Sequence, residues 1–171
     1  EDAKLLEDLY DSFKANGATL NKYDKEKYRK LSMDLSMLTL QFDQNALKDK
    51  NRFEVLITYE NELSGLPESA RDAAAMLAKS KDKNGWLFNL SAPSYIPFMR
   101  YSDKRDLREK MYREYMSVGN KGDEFDNKDI IKKIVNIRLE IAQLMGFKNY
   151  AEYALEHTMA KNSANVYKLL N

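Results

Sequence analysis

Cysteine is absent from the 171-residue chain, which excludes disulfides, a thiolate nucleophile and cysteine-bound zinc. The redox compartment stays open, because a cysteine-free chain tolerates either. Histidine is nearly absent: His157 is the only one, so a histidine-rich metal site or a Ser-His-Asp triad would have to rest on it alone. Its neighbours Glu152 and Glu156 make an E-x-x-x-E-H run, not the H-E-x-x-H that sets two imidazoles on one helix face with a glutamate base between them. His157 is therefore read as a solvated residue near a helix end, favoured there by the dipole. The six glycines are scattered and form neither G-x-G-x-x-G nor G-x-x-x-x-G-K, which leaves nucleotide binding unsupported. No apolar run approaches the roughly 18 residues of a membrane span. Charge of one sign is lacking too: 28 Lys+Arg against 27 Asp+Glu leave a net +1, with no global pull toward nucleic acid or an anionic membrane. The acidic, amphipathic start EDAKLLEDLY is unlike the basic start of a signal peptide and reads as a chain that begins inside structure.

What the chain does have is helical periodicity. Leu5, Leu6, Leu9, Tyr10 and Phe13 fall at helical spacing, and Gly17 follows as a stop. Tyr28, Leu31, Leu35, Leu38 and Phe42 step by three and four along a helix predicted over 22–50, with Met37, Leu40 and Leu47 widening the stripe. Five such positions with mixed flanks favour a helix packed in a bundle over a coiled coil. Only FEVLIT at 53–58 and WLFNL at 86–90 are rich in β-branched and aromatic residues. They are predicted to pair antiparallel across a helical excursion, in which Pro67 suits the first turn and Gly85 closes the return. Trp86, the only tryptophan, is read as a packed residue. A helix from Asp103 to about Val118 carries Leu107, Met111, Tyr115 and Val118 on one face. Ile130, Ile134, Ile137, Ile141 and Leu144, flanked by Ile131 and Val135, mark 129–145 as the central core helix. Phe147, Tyr150, Tyr153, Ala154 and Leu155 begin another helix; Val166, Leu169 and Leu170 start a last one whose stripe stops unfinished at Asn171, as in a chain that once continued. The expected fold is mainly α, a multi-helix bundle with one small two-stranded antiparallel ribbon, 53–58 with 86–90; 171 residues suit a single domain by default, with two open.

The stretch from Ser91 to Met116 organises the rest, joining the ribbon to a charged helix. Ser91, Pro93 and Pro97 are expected to frame a turn and a short helical segment, and Asp103 to cap the next helix with Asp106 at its N3 position. From 100 to 114, Arg100, Lys104, Arg105, Arg108, Lys110 and Arg113 face Asp103, Asp106, Glu109 and Glu114. Mixed signs at helical spacing mean a solvated face, here with pairs Asp106–Lys110 and Glu109–Arg113. Tyr95, Tyr101, Tyr112 and Tyr115 interleave with the basic residues, a combination that grips single-stranded nucleic acid or a peptide. The excess of two positive charges, six minus four, is too small to favour nucleic acid. Tyr95, Arg100, Tyr101 and Arg105 supply hydroxyl donors, cations and aromatic faces near one bend and are the candidates for peptide contact. The plainer reading of the same four residues is capping contacts and surface ion pairs around the turn.

FDQNAL at 42–47, ELSGLPES at 62–69, GWLFNLSAPSYIPFMRYSDKRDLREKMY at 85–112 and DNKDIIKKIVNIRLEIAQLMGFKNYAEYALEHTMA at 126–160 together resemble the thimet oligopeptidase family of zinc metallopeptidases, most in the manner of its bacterial peptidyl-dipeptidases and oligopeptidase A. The resemblance covers nearly the whole chain and preserves the order of four blocks. It implies a helical protein several times longer that closes two halves around a deep channel for short peptides. Family zinc is held by an H-E-F-G-H form of H-E-x-x-H and a downstream glutamate, with a helper tyrosine and histidine later still. None of those positions exists in this sequence, which matches a segment upstream of the motif, so no catalytic or metal residue is carried over.

The resemblance thus implies a segment of scaffold and channel wall from a zinc metallopeptidase that removes C-terminal dipeptides from short peptides or cleaves them otherwise. Zinc is expected in the full-length enzyme and none on this chain, which alone is expected to be inactive. The implied partners are short peptides and the remaining portion of the same polypeptide, without nucleic acid or membrane. The source is expected to be bacterial, with cytoplasm and periplasm both open. The alternative from another class is a free-standing helical module that binds a peptide or protein without chemistry.

Overall fold

The computed structural model describes residues 2–171. In chain order it consists of α1 (Asp2–Ala15), α2 (Lys22–Arg52), β1 (Glu54–Ile57), a 3-10 turn (Glu60–Leu63), α3 (Glu68–Ser80), β2 (Trp86–Asn89), α4 (Ala92–Tyr101), α5 (Arg105–Met116), α6 (Lys128–Leu144), α7 (Tyr150–Leu155) and α8 (Ser163–Leu170). The chain is mainly α with one antiparallel ribbon, as the periodicity predicts. It forms two compact units, one of residues up to Gln41 together with those from Asp129 onward, the other Phe42–Lys128.

In the Phe42–Lys128 unit, the ribbon is in register Glu54↔Asn89, Val55↔Phe88, Leu56↔Leu87 and Ile57↔Trp86. Side chains alternate across a strand, so Val55 and Ile57 are buried while Leu56 between them is exposed. Helix α3 turns Ala74 and Ala78 inward, and small residues there allow a close approach. Phe53, Val55, Ile57, Leu63, Leu66, Ala74, Phe88, Leu90, Phe98 and Met111 form one core, with Trp86 packed against it. Phe88 and Phe98 meet edge to face with ring centres 4.7 Å apart, a favourable aromatic geometry. Gly85 sits at φ +119 with its α-carbon so close to the ribbon that a Cβ would lie 2.3 Å from the Ile57 carbonyl oxygen. Only glycine fits there.

The other unit draws on the first half of α2 and on α6. Leu31 is buried, and Tyr28, Leu35 and Leu38 are half-buried, along the stepped stripe; Phe42, where the second unit begins, is half-buried too. Met37, Leu40 and Leu47, read as widening that stripe, are instead exposed, because they lie on the side of α2 that nothing among the described residues covers. Helix α6 buries Ile130, Ile134, Ile141 and Ala142, more than any other helix described, while Ile137 is half-buried and Ile131 and Val135 are exposed. Helix α1 buries no side chain: Leu5, Leu6, Leu9, Tyr10 and Phe13 all face outward. Its C-terminal end is held by the Tyr153 hydroxyl, which donates to the Ala15 carbonyl at 2.7 Å. Burial pushes that phenol up from its ordinary pKa. Asn149 and Asn162 cap α7 and α8 with their side-chain oxygens, accepting from Glu152 and Asn165 N–H, each at 3.0 Å.

Candidate functional site

The corner between α4 and α5 is where the candidate residues fall. Asn89 prepares it: its Oδ1 accepts from the Ser91 N–H at 3.0 Å and from the Ser91 hydroxyl at 2.6 Å, while its own N–H donates to Ser94 Oγ at 3.0 Å. Pro93 then lies in the first turn of α4, where its missing N–H costs nothing. The helix runs through Pro97 to Tyr101, longer than the short segment that two prolines suggest, because Phe98 is fully buried in the core beyond it.

The chain leaves α4 at Ser102, which is buried, and three hydrogen bonds fix its direction. Asp103 N–H donates to the Ser64 carbonyl at 2.9 Å, and the Ser64 hydroxyl donates to Asp103 Oδ2 at 2.6 Å. The Arg108 guanidinium donates to the Ser102 carbonyl. Gly65, at φ +82, lets that loop touch: a Cβ would stand 2.1 Å from the Tyr101 carbonyl oxygen. Asp103 does not cap α5 as expected, since its carboxylate is committed to Ser64 and α5 begins at Arg105 with Lys104 as an N-cap that makes no side-chain bond. Of the two expected helix pairs, Glu109–Arg113 forms at 2.7 Å; Asp106 and Lys110 make none among the described residues.

The four candidates do not form one cluster. Arg100 and Tyr101 are exposed on the last turn of α4, with the guanidinium carbon 5.3 Å from the Tyr101 ring centre. Arg105 is exposed on the first turn of α5. Tyr95 lies five residues before Arg100, about 140° around the helix. It is half-buried against the core and stacks on Tyr115 of α5, centres 4.3 Å apart and planes 15° apart. Burial, with Tyr115 and Tyr112 beside it, pushes the Tyr95 phenol up. Lys50, near the end of α2, brings its ammonium 5.6 Å from the Tyr115 ring centre. Nothing local in the sequence pairs residues 50 and 115.

A second polar group went unread. Asp49 is completely buried; its carboxylate accepts from Gly119 N–H at 2.8 Å, Arg52 Nε at 2.7 Å and Lys121 Nζ at 3.1 Å. Lys121 also pairs with Glu114 at 2.6 Å, and Arg52 with Asp123. Burial pushes the Asp49 carboxyl up, but the Gly119 N–H, Lys121 and Arg52 together hold it below its ordinary value. The signal was present: after Leu38 and Phe42, position 49 continues the inward stripe of α2, so a carboxylate there had to find donors.

The residues present do not fit zinc. His157 is exposed beside Glu156, Nε2 to carboxylate 3.3 Å, and among the described residues no three His, Asp or Glu side chains converge. No described helix is long and apolar enough to cross a membrane.

Comparison with known proteins gives a consistent set of relatives. Residues 98–171 match the model of Peptidase family M3. Over 172 residues the chain is 38% identical to oligopeptidase A of Haemophilus influenzae, an alignment spanning 98% of this chain and 25% of that protein. The probable cytosolic oligopeptidase A of Arabidopsis thaliana is 40% identical over 152 residues, 85% of this chain and 22% of its own length. Dipeptidyl carboxypeptidase of Escherichia coli is 31% identical over 162 residues, 94% of this chain and 24% of its own. The chain thus spans about a quarter of the length of the curated relatives it matches, which include plant as well as bacterial proteins.

Proposed function

We propose, from the premise that the chain belongs to peptidase family M3, that it is a helical segment of scaffold and channel wall in a zinc metallopeptidase acting on short peptides. The observation that carries this reading is the similarity along 98% of the chain to a protein named oligopeptidase A. The exposed apolar faces support it. Leu5, Leu9 and Phe13 of α1, Met33, Met37 and Leu40 of α2, and Ile131 and Val135 of α6 are the kind of surface that further polypeptide covers. The partner of those faces is the remaining portion of the same chain. Relatives named for oligopeptide cleavage and for dipeptidyl carboxypeptidase action are matched alike, so internal cleavage and removal of C-terminal dipeptides are both within the proposal. The zinc belongs to residues outside this chain.

Within that reading, Tyr95, Arg100, Tyr101 and Arg105 contact the peptide: the two exposed guanidiniums meet carboxylates or carbonyls, and the Tyr101 ring offers a flat apolar face. The test uses the full-length protein. Its reading frame should continue to an H-E-x-x-H, and the purified protein should cleave short peptides and lose that activity to a chelator. Arg100→Ala and Arg105→Ala should weaken turnover of peptides with the melting temperature nearly unchanged. A frame that closes near Asn171 without the motif, as a free-standing binding module would have, refutes the proposal.

A further inference from the structure

Some charged side chains that are half-buried in the Phe42–Lys128 unit have an opposite charge beside them, as Glu54 has Lys81 and Lys83, and Lys121 has Asp49 and Glu114. Lys50 does not. It is half-buried near the end of α2, and among the described residues it makes no ion pair; its ammonium meets the Tyr115 ring instead. Tyr115 is stacked on Tyr95, and Tyr95 rests on the core, so the layer is held in place from below. Neither phenol hydroxyl is hydrogen-bonded within the described chain. The Tyr95 hydroxyl is not sealed from solvent, since no buried polar atom of a buried or half-buried side chain there lacks a partner, and Tyr115 is itself an exposed residue. A phenol is protonated at neutral pH and can donate a hydrogen bond. One turn before Tyr115, Tyr112 adds a third, half-exposed phenol.

An ammonium without a counter-ion, flanked by phenol donors and flat aromatic faces, matches a carboxylate on an otherwise apolar or uncharged chain. We infer that Lys50, Tyr115 and Tyr95 form a subsite that accepts a peptide carboxylate, either a free C-terminus or an acidic side chain. This rests on the proposal that peptides meet this wall, and it adds the chemistry they are read by. Arg100, Tyr101 and Arg105, on the exposed side of the same corner, are not part of this layer.

The test measures binding of fluorescein-labelled pentapeptides to the full-length protein by anisotropy, in the parent and in Lys50→Gln, Lys50→Arg and Tyr115→Leu. Three peptides are used: one uncharged with a free C-terminus, its C-terminal amide, and an amide carrying one glutamate. The free acid should bind the parent about tenfold more tightly than the amide. That ratio should fall at least fivefold in Lys50→Gln and in Tyr115→Leu and be kept in Lys50→Arg. Recovery of affinity by the glutamate-bearing amide assigns the side chain as a source; no recovery assigns the terminus. A protein that binds in this pattern but cleaves none of the peptides retains the subsite and loses the peptidase reading. Equal acid-to-amide ratios in the parent and Lys50→Gln, or no binding of any peptide, overturn the inference.

Discussion

Replacing Asp49 by Asn changes one oxygen to an amide and tests the buried carboxylate directly. The parent side chain accepts from a backbone N–H, a guanidinium and an ammonium, all within 3.1 Å. Asparagine keeps one acceptor for Gly119 but turns an NH2 toward both Arg52 and Lys121, which share the other oxygen, donor against donors. A hydrogen bond to a charged group contributes about 1.5–3 kcal/mol, and breaking a buried pair by removing one partner costs about 3–5. Arg52 and Lys121 keep some contact with water, with side chains 37% and 19% exposed, so the low end applies and a loss of about 3 kcal/mol is expected. That is a large share of a total of roughly 5–15 kcal/mol. The pH dependence follows from a folded pKa lying below the unfolded one: the parent's advantage is fully present above the ordinary aspartate range and is lost as pH falls through the lowered folded value. Urea unfolding at pH 7 and again near pH 3 provides the assay. The gap between parent and Asp49→Asn should be wide at neutral pH and narrow in acid. A difference below about 0.5 kcal/mol at pH 7, within the range of an ordinary surface substitution, or a gap that acid leaves unchanged, refutes the account.

Gly65→Ala places a methyl 2.1 Å from the Tyr101 carbonyl oxygen at a φ of +82, and should lower stability in urea by more than about 2 kcal/mol; a neutral result means that the Ser64–Asp103 contact does not set the corner. Ile141→Asp, at a buried position of α6, should abolish cooperative melting, whereas Ile137→Asp, half-buried, should melt cooperatively at a lower temperature; the reverse order shows α6 rotated about its axis. The 171-residue chain, loaded with zinc and dialysed, should retain far less than one equivalent, because one imidazole lacks the three or four convergent ligands required; stoichiometric zinc by atomic absorption refutes this.

The long elements were legible because burial repeats along them. The steps of three and four in α2 and α6 correspond to residues that are buried or half-buried, and the β-branched run at 53–58 became β1 through its alternation. What escaped depended on partners far along the chain. Pro97 argued for a break, but burying Phe98 in the core outweighs one lost backbone bond, and α4 continues through it. Asp103 looked like a cap until Ser64, 39 residues earlier, took its carboxylate. Of the candidate residues, Arg100, Tyr101 and Arg105 flank the bend between α4 and α5, whereas Tyr95 turns to Tyr115, since helical phase separates it from Arg100. Apolar spacing identifies a face without identifying its cover, which is why α1 reads as amphipathic and yet buries nothing.

A 14-residue helix with no buried side chain is close to the length at which an isolated helix is marginal in water. Apart from the hydroxyl of Tyr153 at its last residue, little beyond its own backbone bonds holds α1 folded. In the 171-residue chain by itself it should therefore behave as a cooperative unit of its own, opening at a free-energy cost well below that of global unfolding. Amides of 6–15 would exchange with deuterium at rates that denaturant hardly alters, and ellipticity at 222 nm would decline gradually on warming before the main transition begins.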